Sequence, residues 1–227
     1  MSDGSRRMTK DPGFSIEHSL FDRCDLSSVV KALADVAHTM AGARHLLSVP
    51  AVRTLAADTR MRDLAARFIG PTAMPFRATL FDKSARANWL VVWHQDTALP
   101  LRNRIDDPAW GPWSIKGGVL YVHAPASALE NVVALRVSLD DSTESNGPLR
   151  VLPHSHEHGV LSDAEIACHA ASAIPVDCLT PAGGVVAMRP LTLHASSKSI
   201  DGRPRRVLHI EYATTGDFGD GLELALC

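Results

Sequence analysis

Short apolar segments constrain the fold of this chain more than any other feature of its sequence. Nine of them follow one another between residues 76 and 212, each four to nine residues long and separated by Gly, Pro or Asn. Segments of this length, rich in β-branched and aliphatic residues, are typical of strands, and their number and spacing predict an antiparallel sandwich or jelly roll. The segments are 76–81, 89–94, 119–122, 131–139, 149–152, 176–180, 185–188, 191–194 and 207–212.

A helical pattern precedes this β-rich region. Apolar residues recur at helical spacing from about residue 26 to residue 47, a second helical stretch begins at Pro50, and a third covers 61–69. A further short helix is predicted over 163–170. The predicted fold class is therefore mainly β with N-terminal helices.

The domain organisation follows from this layout. We expect a single domain over 1–227, with a helical N-terminal part over 26–70 and a jelly-roll core over 76–213. Residues 1–13 are expected to be disordered, because the N-terminus is polar and basic. It also has no apolar stretch behind it, so we do not expect it to act as a secretory signal.

Charge and cysteine content limit the kinds of partner and compartment. The chain has 23 basic and 25 acidic residues, with no long block of either sign. A balanced charge predicts neither nucleic acid nor a membrane surface as the main partner. The four cysteines form no C-x-x-C pair, and no run of 18 apolar residues exists. We therefore expect free thiols in a reducing cytoplasm.

Two residues at the end of one predicted strand form a candidate metal site. His94 and Asp96 lie two positions apart, so on a strand their side chains would share a face. An imidazole and a carboxylate on one face, joined by a distant histidine, form the facial triad of non-haem iron(II) oxygenases. The H-x-D pattern alone is weak, because a strand-end histidine bonded to a nearby carboxylate looks the same.

The third ligand is predicted on a later strand. His194 alternates with two hydroxyl residues, Thr192 and Ser196, which is typical of a polar pocket wall. Eleven residues further on comes Arg205, whose guanidinium could hold a carboxylate through two parallel hydrogen bonds. Such an arginine, assisted by Ser196, would suit the distal carboxylate of 2-oxoglutarate.

Taken together, these residues and their neighbours resemble the phytanoyl-CoA dioxygenase family. The pieces that carry the resemblance occur in family order between about residue 76 and residue 212. They are His94-Gln95-Asp96, Leu139-Asp140-Asp141, Asn146-Gly147-Pro148-Leu149, Val151-Leu152-Pro153-His154-Ser155-His156, Leu193-His194-Ala195-Ser196 and Arg205-Arg206. One departure is that His154 stands where the family usually has a turn glycine.

The resemblance implies a double-stranded β-helix that binds Fe(II) and 2-oxoglutarate. It implies that His94, Asp96 and His194 ligate the iron and that Arg205 and Ser196 bind 2-oxoglutarate. Two further positions near the co-substrate are matched by Thr79 and Gln95. The implied activity is hydroxylation of a small-molecule metabolite with O2, releasing succinate and CO2; the substrate itself cannot be identified from the sequence.

Alternation along the strand over 131–139 identifies further pocket candidates. Its odd positions are aliphatic, whereas Arg136 and Ser138 lie on the opposite, polar face. We predict that Arg136 meets an oxygen of 2-oxoglutarate or of the substrate; the alternative is a structural ion pair with Asp140 or Glu211. His123 is a weaker candidate for the substrate side.

Three alternatives stay open at this point. The run His154, His156 and His158 could be a metal cluster, although a surface turn explains it better. The protein could be a non-catalytic jelly-roll module that binds or senses a small molecule. A halogenase is disfavoured, since that chemistry needs chloride in place of the carboxylate of Asp96.

Overall fold

A computed structural model describes residues 10–34, 36, 42–85, 87–214 and 222–227. Within these residues the chain forms thirteen strands, five α-helices and two short 3-10 helices. The strands are β1 Phe14–Glu17, β2 Gly42–Ala43, β3 Met74–Lys83, β4 Val91–His94, β5 Ala98–Leu101, β6 Trp113–Lys116, β7 Val119–His123, β8 Val132–Ser138, β9 Leu149–Val151, β10 Val176–Cys178, β11 Val185–Met188, β12 His194–Ser196 and β13 Arg205–Ala213. The helices are α1 Arg23–Ala34, α2 Pro50–Ala57, α3 Thr59–Ile69, α4 Ala126–Leu129 and α5 Asp163–Ser172.

Two antiparallel sheets form the jelly roll. The larger has six strands in the order β1-β11-β8-β13-β3-β2, and the smaller has four in the order β10-β9-β12-β4. A separate three-stranded sheet, β5-β7-β6, lies beside them. The predicted fold class, mainly β with N-terminal helices, is confirmed.

Helices α1, α2 and α3 cover the outer face of the six-stranded sheet. On α3 the buried residues Met61, Leu64, Ala65 and Ile69 recur at helical spacing, which gives the helix one apolar face. This face joins a core cluster that also contains the odd, aliphatic positions of β8. The even positions of β8 therefore point the other way, into the barrel. Among the described residues, no helix is long and apolar enough to cross a membrane.

The long helix predicted over 26–47 is wrong from Gly42 onward. Helix α1 ends at Ala34, residues 35 and 37–41 lie outside the described part of the chain, and Gly42 starts strand β2. Gly42 has a φ of 127°, and a Cβ there would lie 1.8 Å from the carbonyl oxygen of Leu80. Glycine at this position thus permits an edge strand that pairs with β3. The helical spacing of apolar residues gives no sign of this pairing.

Other boundaries also differ from the predicted ones. The strand predicted over 191–194 begins only at His194, because the preceding residues form a turn in which the Thr192 amide bonds the Arg189 carbonyl. Strands β1, β5 and β6 were not predicted. Of the segment expected to be disordered, residues 1–9 lie outside the described residues, whereas Asp11 pairs with Arg189 at 2.8 Å. Folded chain therefore begins earlier than the composition indicates.

Candidate active site

The three predicted metal ligands lie together inside the barrel. Strands β4 and β12 pair with His94 directly opposite His194, which brings the two imidazole ring centres to 4.1 Å. Asp96 follows β4, with its carboxylate oxygens 3.8 Å from Nε2 of His94 and 3.4 Å from Nε2 of His194. One ligand atom from each residue lies within 4.8 Å of the others, which makes the three a candidate metal-binding group.

Backbone carbonyls orient both imidazoles toward this point. Nδ1 of His94 lies 2.8 Å from the Val92 carbonyl oxygen, and Nδ1 of His194 lies 2.9 Å from that of Thr192. A carbonyl only accepts, so each Nδ1 carries the proton and each Nε2 presents a lone pair. Two imidazole lone pairs and one carboxylate then face the same point, and this donor set fits a divalent cation such as iron(II).

Electrostatics favour the charge states that a metal needs. Burial lowers the pKa of His94, and His194 lowers it further, so the imidazole stays neutral. Burial alone would raise the pKa of Asp96, but the neighbouring histidines, His194 first, bring it well below its ordinary value. His94 is thus a neutral base beside the ionised carboxylate of Asp96, the forms in which both bind metal.

A group of buried cations occupies the end of the barrel beyond these ligands, where β3 finishes and β13 begins. Lys83 is fully buried and donates to the Ser196 hydroxyl at 2.7 Å and to the Ser197 carbonyl. Arg205 donates to the same hydroxyl at 3.2 Å, and its buried Nε has no hydrogen-bond partner in the described chain. We call this the closed end, defined by Lys83, Arg136 and Arg205.

Arg136 completes the closed end. It is 9% exposed and its guanidinium bonds Nδ1 of His209 at 2.9 Å. Burial and the charge of Arg136 lower the pKa of His209 well below its usual range, so His209 is neutral and Nδ1 accepts. The structural ion pairs considered for Arg136 are not formed, since Asp140 pairs with Arg206 and Glu211 with Arg77.

The three cations of the closed end repel one another. Burial, followed by the charge of Arg136, lowers the pKa of Arg205 to about 10. Burial, followed by the charges of Arg205 and Arg136, lowers that of Lys83 to about 8. Buried charges of one sign are costly unless an opposite charge joins them. The closed end therefore fits an anionic guest, and the partnerless Nε of Arg205 is a donor for it.

A second part of the site is a cavity of about 210 Å³ that Asp96 helps to line. Arg77 lies in its wall, paired with Glu211 and hydrogen-bonded to the Ala98 carbonyl at 3.1 Å. Burial opposes the charge of Arg77, but Glu211 more than offsets this and raises its pKa. Two further cations, Arg44 and Lys116, complete what we call the open end.

The remaining predicted pocket residues occupy different environments. Thr79 and His123 line the cavity, and Nδ1 of His123 bonds the Thr97 hydroxyl at 2.6 Å. Gln95 also reaches the cavity, but its amide bonds three backbone groups, those of Gly159, Leu161 and Leu191.

One predicted pocket residue, Ser138, and the alternative three-histidine site lie outside the group of metal ligands. Ser138 bonds the Thr180 hydroxyl at 2.7 Å and is not among the residues that line the cavity. The three-histidine run forms a 3-10 turn, and His154 takes a φ of 64° at the position where the family has glycine. The only group of three or more potential ligands within the described residues is His94, Asp96 and His194.

The chain belongs to the phytanoyl-CoA dioxygenase (PhyH) family, whose model matches residues 27–207. This confirms the resemblance found in the sequence. A relative, L-proline trans-4-hydroxylase of Streptomyces griseoviridis, is 31% identical over 130 residues, which cover 46% of this chain. The match spans 48% of that relative, about half of its length.

Solved structures share the fold. AviO1 of Streptomyces viridochromogenes Tue57 superposes with a TM-score of 0.64 at 23% identity, covering 92% of this chain and 91% of its own. HygX of Streptomyces hygroscopicus, solved with iron and with nickel and 2-oxoglutarate, superposes with a TM-score of 0.62 at 16% identity. That match covers 89% of this chain and 82% of HygX.

Four cations at the site were missed by sequence reasoning. They are Arg44, Arg77, Lys83 and Lys116. Lys83 and Arg77 are an even number of residues apart on β3 and share a face with Thr79, so alternation along that strand could have found both. Arg44 follows β2 and Lys116 ends β6; neither strand was predicted, and no comparable signal marks these two residues.

Proposed function

We propose that this protein is an iron(II)- and 2-oxoglutarate-dependent dioxygenase that hydroxylates a small-molecule metabolite. One observation carries the proposal: a two-histidine, one-carboxylate group lies beside a buried cluster of cations that forms no ion pair with a carboxylate in the described part of the chain. The first feature fits iron(II), and the second fits a dianion bound next to it. Family membership and the HygX complex with 2-oxoglutarate support the same assignment.

His94, Asp96 and His194 would hold the iron, leaving coordination positions for 2-oxoglutarate and O2. When bound, iron(II) supplies the electrons with which dioxygen is activated. In the overall reaction one oxygen atom enters the new carboxylate of succinate, the other enters a C–H bond of the substrate as a hydroxyl, and CO2 leaves.

The protein's own residues bind 2-oxoglutarate and orient it. Arg205 donates to the distal carboxylate of 2-oxoglutarate through its free Nε and its terminal nitrogens. The Ser196 hydroxyl accepts from Lys83 and Arg205 and donates to the Gly147 carbonyl at 2.9 Å, so it holds both cations in place. Arg136, held in place by its hydrogen bond to His209, supplies a further hydrogen-bond donor for 2-oxoglutarate or the substrate.

Hydroxylation of a small substrate agrees with the relative that hydroxylates L-proline. The cavity of about 210 Å³ is smaller than a typical pocket for a drug-sized ligand, which measures roughly 300–1,000 Å³. We therefore infer a compact metabolite, with hydroxylation as the outcome.

The test separates metal binding from turnover. Purified metal-free protein is titrated with Fe(II) under anaerobic conditions by calorimetry, and a metabolite library is then screened for substrate-stimulated succinate formation. His94→Ala and Asp96→Ala should lose Fe(II) binding and turnover while melting like the metal-free parent. His158→Ala is the matched control, since His158 lies outside the triad. Full activity in either triad variant would contradict the assignment.

A further inference from the structure

The open end gathers three cations around one small cavity. Arg44, Arg77 and Lys116 all line it. Tyr121 lies between two of them: its ring centre is 5.4 Å from the Arg77 guanidinium carbon and 5.2 Å from Nζ of Lys116. Nε2 of His45 bonds the Tyr121 hydroxyl at 3.1 Å, which fixes the ring from its edge. Arg77 and Lys116 are thus arranged around one aromatic ring whose hydroxyl is held by a hydrogen bond.

The cavity has too few acids to balance these charges. Its acidic lining residues are Asp96 and Glu211. Asp96 belongs to the proposed metal site, and Glu211 is paired with Arg77. Within the described part of the chain, neither Arg44 nor Lys116 forms an ion pair. Two positive charges that line this cavity therefore have no acidic partner among the described residues.

These two cations are also close enough to affect their surroundings. Partial burial lowers the pKa of Lys116, and the charges of Arg44 and Arg77 lower it further. His45 responds in the same order, first to burial and then to the same two arginines. A surface lysine that is fully solvated and isolated would not respond in this way. Mutual repulsion of this kind is relieved when an anion binds.

We propose that the open end binds the anionic group, a carboxylate or a phosphate, of a small substrate, with Arg44 and Lys116 as its ligands beside Arg77. The inference rests on the proposed function, because it places the substrate on the Asp96 side of the metal. The cavity has room for roughly seven water molecules at about 30 Å³ each, so the part of the substrate that it holds is about as large as an amino acid.

The experiment measures binding rather than turnover. Protein loaded with Zn(II) and saturated with 2-oxoglutarate is titrated with butanoate, propyl phosphate and butanamide, followed by NMR. Butanoate and butanamide have nearly the same shape, so their difference reports the charge. The parent should bind at least one of the two anions about tenfold more tightly than the amide, as expected for a charge-assisted contact.

Variants assign the effect to the open end. Arg44→Met and Lys116→Met should each weaken binding of the preferred anion about fivefold or more and leave the affinity for 2-oxoglutarate unchanged. Lys31→Met removes an exposed cation on α1 and should change neither affinity. Comparing butanoate with propyl phosphate identifies which anion the cavity prefers.

Two results would overturn the proposal. Equal affinity of the parent for anions and amide, including no binding of any, means that the cavity does not select charge. If Arg44→Met or Lys116→Met weakens 2-oxoglutarate instead of the anion, that residue belongs to the co-substrate site. Failure of the proposed function looks different, because the parent would then bind neither the metal nor 2-oxoglutarate in the loading step.

Discussion

The closed and open ends of the pocket both hold positive charges close together, but they differ in how far those charges are buried. Both gather three cations next to one metal site. At the closed end Lys83 and Arg205 are buried and share one hydroxyl, that of Ser196, as acceptor. At the open end Arg44 and Lys116 are exposed, and only Arg77 has an acid partner.

The difference teaches what each end is built to recognise. A buried charge interacts strongly with an opposite charge and is only weakly screened by salt. Removing it from water costs free energy, however, and a bound anion of opposite charge must offset that cost in every catalytic cycle. Such an arrangement suits an obligatory co-substrate. Exposed cations interact more weakly, and long side chains can adapt to several anions. The open end therefore suits a substrate that binds and leaves during each cycle.

The largest effect is expected at Arg205. Arg205→Lys keeps the charge but loses the planar fork, so the affinity for 2-oxoglutarate should fall by about 10- to 100-fold, which corresponds to about 1.5–3 kcal/mol. Calorimetric titration of the Zn(II)-loaded protein measures this. Arg203→Lys and Arg206→Lys are matched controls, because Asp201 and Asp140 hold those two arginines elsewhere. If Arg205→Lys binds 2-oxoglutarate as tightly as the parent while the two control variants bind it more weakly, Arg205 is not the residue that anchors 2-oxoglutarate.

The pH dependence of 2-oxoglutarate binding tests the role of Lys83 at the closed end. Its pKa is lowered to about 8, so below that pH it carries the charge that attracts a dianion, and above it the charge is lost. The affinity of the parent for 2-oxoglutarate should therefore fall as pH rises from 7 to 9. Bound dianion raises the pKa of Lys83, which extends the decline above pH 8.

The Lys83→Met variant is the control for this titration. It should bind 2-oxoglutarate about tenfold more weakly at pH 7 and show a much flatter pH profile, since the titrating group is gone. A variant that keeps the full pH dependence of the parent would assign the titration to another group. Melting temperatures of both proteins show whether the fold is intact.

The two ends also differ in how far the sequence predicts them. At the closed end, alternation along β8 predicts Arg136, and the spacing from His194 predicts Ser196 and Arg205. Lys83 was missed because β3 continues two residues beyond the apolar run that predicted it. Strand periodicity is a local signal, so it works where one strand carries several pocket residues.

The open end could not be predicted in the same way. Arg44 follows β2, a two-residue strand whose pairing with β3 depends on Gly42, and Lys116 ends the unpredicted strand β6. Their proximity arises from tertiary contacts between elements about seventy residues apart, which leave no periodic trace in either segment. The pairing of β4 with β12, which sets His94 opposite His194, also leaves no periodic trace; the family resemblance, and not periodicity, brought the two histidines together in the prediction.

Substitutions of Arg136 test whether this residue of the closed end contacts 2-oxoglutarate or the substrate. Arg136→Lys should keep a positive charge and raise the Michaelis constant for 2-oxoglutarate or substrate several-fold, and Arg136→Met should raise it further. Both should melt near the parent, because Arg136 contacts neutral His209 rather than an acid. If Arg136→Met melts at a much lower temperature with unchanged constants, Arg136 is structural.

The smallest effect, and the most direct test of the comparison, is the response to salt. Raising NaCl from about 0.1 M to about 1 M shortens the screening length from about 10 Å to about 3 Å. Binding of butanoate or propyl phosphate at the exposed open end should weaken by a few-fold, whereas binding of 2-oxoglutarate at the buried closed end should change by less than about twofold. Butanamide controls for effects that do not depend on charge. Equal salt sensitivity of both ligands would mean that the two ends are equally solvated, and the distinction between an obligatory and an exchanging guest would no longer follow from burial.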